Sequence, residues 1–126
     1  MPRREALKQA FEAITAHEGA LCARMISGLE QLEGVRVLGI TDPARGGERC
    51  PTVAIVHARH TPMTIAKHLG AEGIFVWEGH FYALELSTTL GLEPEGMVRI
   101  GLLHYNTAEE VDRLIASLAR LIDGQA

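Results

Sequence analysis

MVRIGLLHYNTAEEVD, residues 97–112, joins an apolar segment, a polar turn and the beginning of a helix. Arg99 stands between apolar neighbours, which is typical of a β strand. Thr107 and Glu110 lie three residues apart and match the capping box that begins many helices. Because an unpaired guanidinium is costly in an apolar setting, Arg99 needs an anionic partner. The stretch therefore predicts a strand, a turn and a helix around one candidate anion-binding residue.

The apolar residues that precede this stretch recur at steps of three, four and seven, and they predict a helix over residues 4–33. Apolar runs predict four strands, at residues 35–38, 52–56, 74–77 and 98–103. Further helices are predicted to begin at Thr61, Ala83 and Thr107. This order predicts an α+β fold, in which a small mixed, largely antiparallel sheet of about four strands is covered by helices.

The first helix is long for a chain of this size. If it is continuous it measures roughly 45 Å, whereas a domain of this size has a diameter of about 36 Å. Either the helix kinks at Gly19, or its first half packs on something outside this chain. We predict a single domain over residues 1–126, with the helix in 1–34 and a sheet-and-helix body in 35–126. If helices cover only one side of the sheet, the other side needs a lid.

Composition restricts the classes of function. The chain has 126 residues, 47% of them hydrophobic, and a net charge of −4, so it can bury a sizeable core. We expect neither a membrane span nor a secretory signal, because no apolar stretch has the length that either requires. The basic residues are dispersed, which argues against nucleic-acid binding. Cys22 and Cys50 are interpreted as free thiols in a reducing cytoplasm, with a disulfide as the alternative.

Residues 78–82 form a second candidate region, because a glycine-containing turn there carries His80 and Tyr82 between a strand and a helix. The alternative is a polar turn that merely caps the helix. For Arg99, the alternative to ligand binding is an ion pair with an acidic residue of the same domain. His104 follows the fourth predicted strand and lies near Arg99 in the sequence.

The other histidines do not predict a metal site. His57 and His60 are three residues apart and His68 follows them, but no cysteine or acidic cluster completes a tetrahedral set of ligands. We therefore expect no bound metal. Phe75 and Trp77, in the third predicted strand, are expected in the core.

Much of the chain resembles the class V aminotransferase-like enzymes, the group that contains the cysteine desulfurases. Besides residues 97–112, the segments that carry the resemblance are AHEGAL (16–21), GVRVLG (34–39), DPAR (42–45), CPTVA (50–54) and GIFVWEGHFYALE (73–85). They occur in the same order as in that family and cover residues 4–122. What they resemble is the small C-terminal domain of these enzymes, without the large domain that holds the cofactor.

The resemblance implies roles for four residues of this chain. In such enzymes the arginine at the position of Arg99 binds the carboxylate of the amino acid substrate, and His80, Tyr82 and His104 are expected to shape the same pocket. In cysteine desulfurases the residue at the position of Tyr82 is the cysteine that accepts sulfur. A phenol cannot form a persulfide, so desulfuration by that route is not expected here.

The resemblance also implies a cofactor and partners. The parent enzyme uses pyridoxal phosphate, held as a Schiff base on a lysine. Neither Lys8 nor Lys67 has a phosphate-binding loop beside it, so we expect no cofactor and no catalytic residue in this chain alone. The implied partners are a large pyridoxal phosphate-binding domain, in cis or in trans, an amino acid, and a second subunit in a homodimer. The alternative is a free-standing α+β module that binds a small molecule or a partner protein.

Overall fold

The computed structural model describes residues 1–124. Its elements, in chain order, are α1 (Arg3–Glu30), β1 (Val35–Leu38), β2 (Thr52–His57), α2 (Pro62–Ala71), β3 (Trp77–Gly79), α3 (Leu84–Thr89), β4 (Met97–Gly101) and α4 (Ala108–Ile122). A short 3-10 helix, Pro43–Glu48, lies in the segment predicted as a loop between β1 and β2. Within the described residues, no helix has both the length and the apolar character that crossing a membrane requires.

The four strands form one sheet in the order β1-β2-β4-β3, and each neighbouring pair is antiparallel. The predicted α+β class, with its long N-terminal helix, is confirmed. The strand β4, which carries Arg99, pairs with β2 on one side and β3 on the other. Strand β4 is therefore held by backbone hydrogen bonds on both flanks, and Arg99 lies in the interior of the sheet rather than on an edge.

Helix α4 begins as its sequence predicts. The Thr107 hydroxyl accepts a hydrogen bond from the Glu110 backbone N–H at 3.2 Å, and the Glu110 carboxylate accepts one from the Thr107 N–H at 3.0 Å. These two bonds satisfy backbone donors that a helix start otherwise leaves unpaired. The end of β4 and the start of α4 are thereby fixed relative to each other.

The third strand is shifted from its predicted position. It was expected at residues 74–77 and lies at Trp77–Gly79 instead. The physical reason is the end of α2: Gly73 has a φ of 74°, and the Ile74 N–H donates to the Leu69 carbonyl at 2.9 Å. This is the Schellman arrangement, which uses the backbone of residue 74 to close the helix. The apolar residues after Gly73 therefore cap α2 and only then reach the sheet.

Helix α1 is continuous through Gly19, and a kink at that residue stays a prediction. Its buried residues all lie in the second half, and they are Leu21, Cys22, Met25, Ile26 and Leu29. In the first half, Leu7 is 49% exposed and Phe11 is 64% exposed. The first half of α1 therefore extends beyond the core that the second half helps to build.

The core lies on one face of the sheet. Val53 and Ile55 of β2 and Val98 and Ile100 of β4 point into it, and residues of α1, α2 and α4 cover them. Residues between these positions point to the other face, because side chains alternate along a strand. We call that other side the open face; it carries Arg99.

Candidate functional site

Arg99 lies in the middle of the open face. Its two neighbours in β4 are buried in the core, whereas Arg99 itself is exposed. The strand register places Arg99 opposite Ala54 of β2 and opposite Trp77 of β3. Directly opposed residues of an antiparallel pair share a face, with Cβ atoms about 5 Å apart. The guanidinium therefore rises from the sheet between a small residue and an indole.

The Phe81 ring covers the guanidinium of Arg99. The Arg99 Cζ atom lies 4.3 Å from the centre of that ring, which is a cation–π contact. A cation–π contact supplies no hydrogen-bond acceptor, so it leaves the N–H donors of Arg99 available to an anion. None of the ion pairs formed within residues 1–124 involves Arg99. The intradomain ion pair considered from the sequence is therefore not formed, and the arginine is oriented with its donors unclaimed by a carboxylate.

The turn that supplies Phe81 has an unusual backbone. Phe81 and Tyr82 have φ angles of 54° and 62°, in the left-handed region that aromatic residues seldom occupy. The Ala83 N–H donates to the His80 carbonyl at 2.8 Å, and the Tyr82 N–H donates to His80 Nδ1 at 3.1 Å. Such conformations cost on the order of 1–3 kcal/mol each and concentrate at functional sites. The turn therefore holds Phe81 on Arg99 and leaves the Tyr82 side chain fully exposed.

Two glycines place this turn against the rest of the sheet. A Cβ atom built on Gly96 would lie 2.3 Å from the Gly79 carbonyl carbon and 2.4 Å from its oxygen. Gly96 is buried, with a φ of 74°, so a side chain is excluded there by sterics and by backbone conformation. Gly79 ends β3, and the turn with Phe81 follows it directly. The close approach of Gly96 to Gly79 thus fixes the position at which the turn begins.

The four predicted site residues do not share one set of contacts. His80 and Tyr82 belong to the turn whose central residue covers Arg99. His104 follows β4, with Nδ1 4.0 Å from a Glu18 carboxylate oxygen and its ring 5.6 Å from the Tyr105 ring. Its neighbours thus belong to α1 and to the segment after β4. The shared pocket that includes His104 stays a prediction.

Sequence reasoning missed the two aromatic neighbours of Arg99, which are Trp77 and Phe81. Trp77 and Phe75 were expected in the core, and this is wrong, because they are 69% and 88% exposed. The shift of β3 explains the error: Phe75 precedes the strand, and Trp77 pairs with Arg99 on the open face. Phe81 was recognised only as part of a turn. The apolar neighbours of Arg99 predicted its strand, but pairing with a strand more than twenty residues away in the sequence decided which side chains stand beside it.

The two cysteines do not replace the residue at position 82. Both are free, with Cys22 buried and Cys50 exposed. They line a groove between α1 and residues 43–51. Burial raises the pKa of the Cys22 thiol, and the nearby Arg49 opposes this rise only in part. Neither thiol belongs to the turn beside Arg99, so the structure offers no sulfur nucleophile there.

The His57 ring, outside the turn, stabilises the fold through hydrogen bonds to the backbone. His57 Nε2 lies 3.0 Å from the Glu33 carbonyl, and its Nδ1 accepts hydrogen bonds from the N–H groups of Arg59 and His60. These bonds require the neutral ring, protonated on Nε2. Within residues 1–124, no group of three or more potential ligands is placed to hold a metal ion. The His57 ring is therefore accounted for by its hydrogen bonds to the backbone.

The His57 hydrogen bonds predict a pH dependence of stability. Burial lowers the pKa of His57, and the charges of His60 and Arg59 act in the same direction. The unfolded chain, with a histidine pKa of about 6.5, therefore binds more protons than the folded chain as the pH falls. The free energy of unfolding is expected to be highest above pH 6.5 and to decline below it. Urea titrations at pH 7.5, 6.5 and 5.5 measure this decline.

The matched variant is His57→Asn, whose side-chain oxygen can accept the same two backbone hydrogen bonds and does not titrate. Its unfolding free energy should vary less between pH 7.5 and 5.5 than that of the unchanged chain. The carboxylates whose pKa is lowered, such as Glu72 and Asp112, lose their contribution only nearer pH 4, outside this window. An equal pH dependence in the two proteins would assign the effect to other groups.

The two lysines do not fit a pyridoxal phosphate site. Lys8 lies on the exposed first half of α1, 3.9 Å from the Glu12 carboxylate. Lys67 lies on the exposed side of α2. A Schiff-base lysine needs a desolvated setting beside a phosphate-binding loop, and neither lysine is placed in one. The residues of this chain therefore do not by themselves form a site that fits this cofactor.

The structure is an α+β domain with an exposed arginine on its sheet, and comparisons with known proteins identify its family. The family model described as aminotransferase class-V matches residues 5–114. The chain belongs to the aminotransferase class-V family.

Individual relatives give the same result. A probable cysteine desulfurase of Mycolicibacterium paratuberculosis is 36% identical over 91% of this chain and 16% of its own length. An aminotransferase-like protein of Gibberella zeae is 35% identical over 91% of this chain and 29% of its own length. The apo structure of a cysteine desulfurase from Thermococcus onnurineus NA1 superposes with a TM-score of 0.84 and 27% identity, over 96% of this chain and 29% of that one. This chain spans less than a third of each relative.

Proposed function

We propose that this chain is the C-terminal small domain of a class V aminotransferase-family enzyme and that it binds the carboxylate of an amino acid substrate. The observation that carries the proposal is the state of Arg99. It lies on the open face, is oriented by the Phe81 ring, and is absent from the ion pairs within residues 1–124. Arginine matches the two oxygens of a carboxylate better than lysine does, because its donors form a planar fork.

The neighbours of Arg99 support the same role. The aromatic ring over the guanidinium lowers the local dielectric on one side and so strengthens an ion pair formed on the other. His80 and Tyr82 flank Phe81 in the strained turn, and we propose that they shape the pocket around Arg99. We assign His104 to the same pocket only because of the family resemblance. Tyr82 supplies no sulfur chemistry, so this domain recognises the substrate rather than reacting with it.

The remaining parts of the enzyme lie outside this chain. The family implies pyridoxal phosphate in the parent enzyme, and this cofactor, when bound, supplies the electron sink for chemistry at the amino acid. We propose that a large domain, in cis or in trans, holds the cofactor, and that the enzyme is a homodimer. Because both cysteines are free, we place it in the cytoplasm. The exposed Phe11 side of α1 is consistent with packing on such a domain.

The test is binding of an amino acid carboxylate to this chain. N-acetylglycine is a suitable probe, because its amino group is not a free ammonium. Titration followed by amide NMR shifts is expected to move residues of β3, β4 and the turn at 80–82. Arg99→Gln should weaken binding by roughly 10- to 100-fold, because a hydrogen bond to a charged group contributes about 1.5–3 kcal/mol.

The matched control is Arg36→Gln. Arg36 is also an exposed arginine of this sheet, but it lies on β1, opposite Val56 and two strands away from β4. Its loss should leave the affinity for N-acetylglycine unchanged at constant ionic strength. If the two variants weaken binding equally, the attraction is only that of the total charge, and a specific role for Arg99 is refuted.

A further inference from the structure

We propose that the Arg99 site selects carboxylates that carry an aromatic side chain, and that Trp77 is the residue that determines this selectivity. The inference rests on the proposed function, since it names the substrate class of the same site. The observation behind it is an exposed indole placed directly beside an exposed guanidinium that already bears an aromatic ring.

The position of Trp77 is set by the sheet. Trp77 and Arg99 are opposed residues of the β3–β4 pair, so both side chains rise from the open face with Cβ atoms about 5 Å apart. The indole is 69% exposed, although an aromatic residue of this size is usually mostly buried. An apolar surface left in water beside a charged group is a candidate contact for a ligand that has both characters.

The residue on the other side of Arg99 is small. Ala54 stands opposite Arg99 on β2, so the side of Arg99 away from Trp77 carries only a methyl group. The Phe81 ring contacts the guanidinium, with the Arg99 Cζ atom 4.3 Å from the ring centre. Arg99 therefore has an exposed indole on one side, a methyl group on the other, and one aromatic ring in contact with its charge.

A ligand bound to Arg99 through its carboxylate can place an aromatic side chain against Trp77. A carboxylate that binds the Arg99 N–H donors approaches from a side that the Phe81 ring leaves free. The rest of that ligand then lies against the exposed indole of Trp77. Offset or edge-to-face packing of an aromatic side chain on Trp77 adds to the ion pair, whereas a hydrogen or a methyl group gains little.

The experiment compares three probes on the full chain by amide NMR titration: N-acetylglycine, N-acetylphenylalanine and N-acetylphenylalaninamide, which has no carboxylate. We expect N-acetylphenylalanine to bind about 10-fold more tightly than N-acetylglycine, which is the contribution of one aromatic contact together with its buried area. The uncharged amide should bind more weakly than N-acetylphenylalanine. Trp77→Ala should reduce the preference for the aromatic probe to less than about 3-fold.

The matched control is Phe75→Ala, because Phe75 is 88% exposed and precedes β3 without pairing with Arg99. It should leave the preference unchanged. Equal binding of the two charged probes, with Arg99→Gln still weakening both, overturns the selectivity and leaves the proposed function standing. If Arg99→Gln leaves the affinity for both charged probes unchanged, the proposed function is refuted. Equal loss of preference in Trp77→Ala and Phe75→Ala shows nonspecific adhesion to exposed rings, which also overturns the role of Trp77.

Discussion

Replacement of Gly96 by alanine is expected to destabilise this chain by roughly 2–5 kcal/mol, which combines the cost of overpacking with that of a left-handed backbone at a residue with a Cβ atom. The added methyl group would lie 2.3 Å from the carbonyl carbon of Gly79. That neighbour is backbone in a paired strand, so it cannot rotate away as a flexible side chain can. The loss is a large part of the 5–15 kcal/mol typical of a domain.

Urea denaturation measures this loss, and the chain supplies its own control. Gly19 lies within α1, and a Cβ atom built there meets no heavy atom within 4 Å. Gly19→Ala should therefore stabilise the chain by about 0.5–1 kcal/mol, because alanine favours the helix and restricts the unfolded state. If Gly96→Ala is as stable as the unchanged chain, the close approach of Gly96 to Gly79 is refuted.

The Gly96 variant also tests how the site is supported. Any protein that folds despite the added methyl group must move Gly79, and the turn that carries Phe81 begins at the next residue. The contact between Phe81 and Arg99 should then weaken before the core does. Amide shifts at residues 80–82 are expected to change more than those of the buried part of α1.

Local signals in the sequence were sufficient for several elements. The capping box at Thr107 places the start of α4 correctly, because both of its hydrogen bonds join residues three apart. The apolar neighbours of Arg99 place it in a strand, and β4 is found there. These features depend on neighbours in the chain, and the chain alone determines them.

Features that depend on distant neighbours were not predicted. The run after Gly73 has the composition of a strand, but its first residue closes α2, and the strand begins only at Trp77. The aromatic surroundings of Arg99 come from pairing of β3 with β4 across two connecting segments and α3. The left-handed backbone of Phe81 has no sequence signal, since such angles are expected at glycine. The sequence therefore predicted Arg99, His80, Tyr82 and His104 as site residues, but the aromatic contacts of Arg99 required the fold.

Replacement of Leu29 by alanine is expected to destabilise the chain by about 2–5 kcal/mol, the range measured for leucine-to-alanine changes in well-packed cores. Leu29 is completely buried and belongs to the core cluster between α1, the sheet and α4. Its loss removes apolar burial and leaves a cavity that the strands β2 and β4 cannot fill without moving. Urea denaturation should show a lower midpoint with little change in slope.

The control is the same substitution in the same helix, at Leu7. Leu7 lies in the first half of α1 and is 49% exposed, so Leu7→Ala should change the free energy of unfolding by no more than about 0.5 kcal/mol. The contrast follows from the division of α1 into a half that builds the core and a half that extends beyond it. Equal destabilisation by the two variants would show that the first half of α1 packs on the body of this same chain, and its proposed role against a cofactor-binding domain would then be lost.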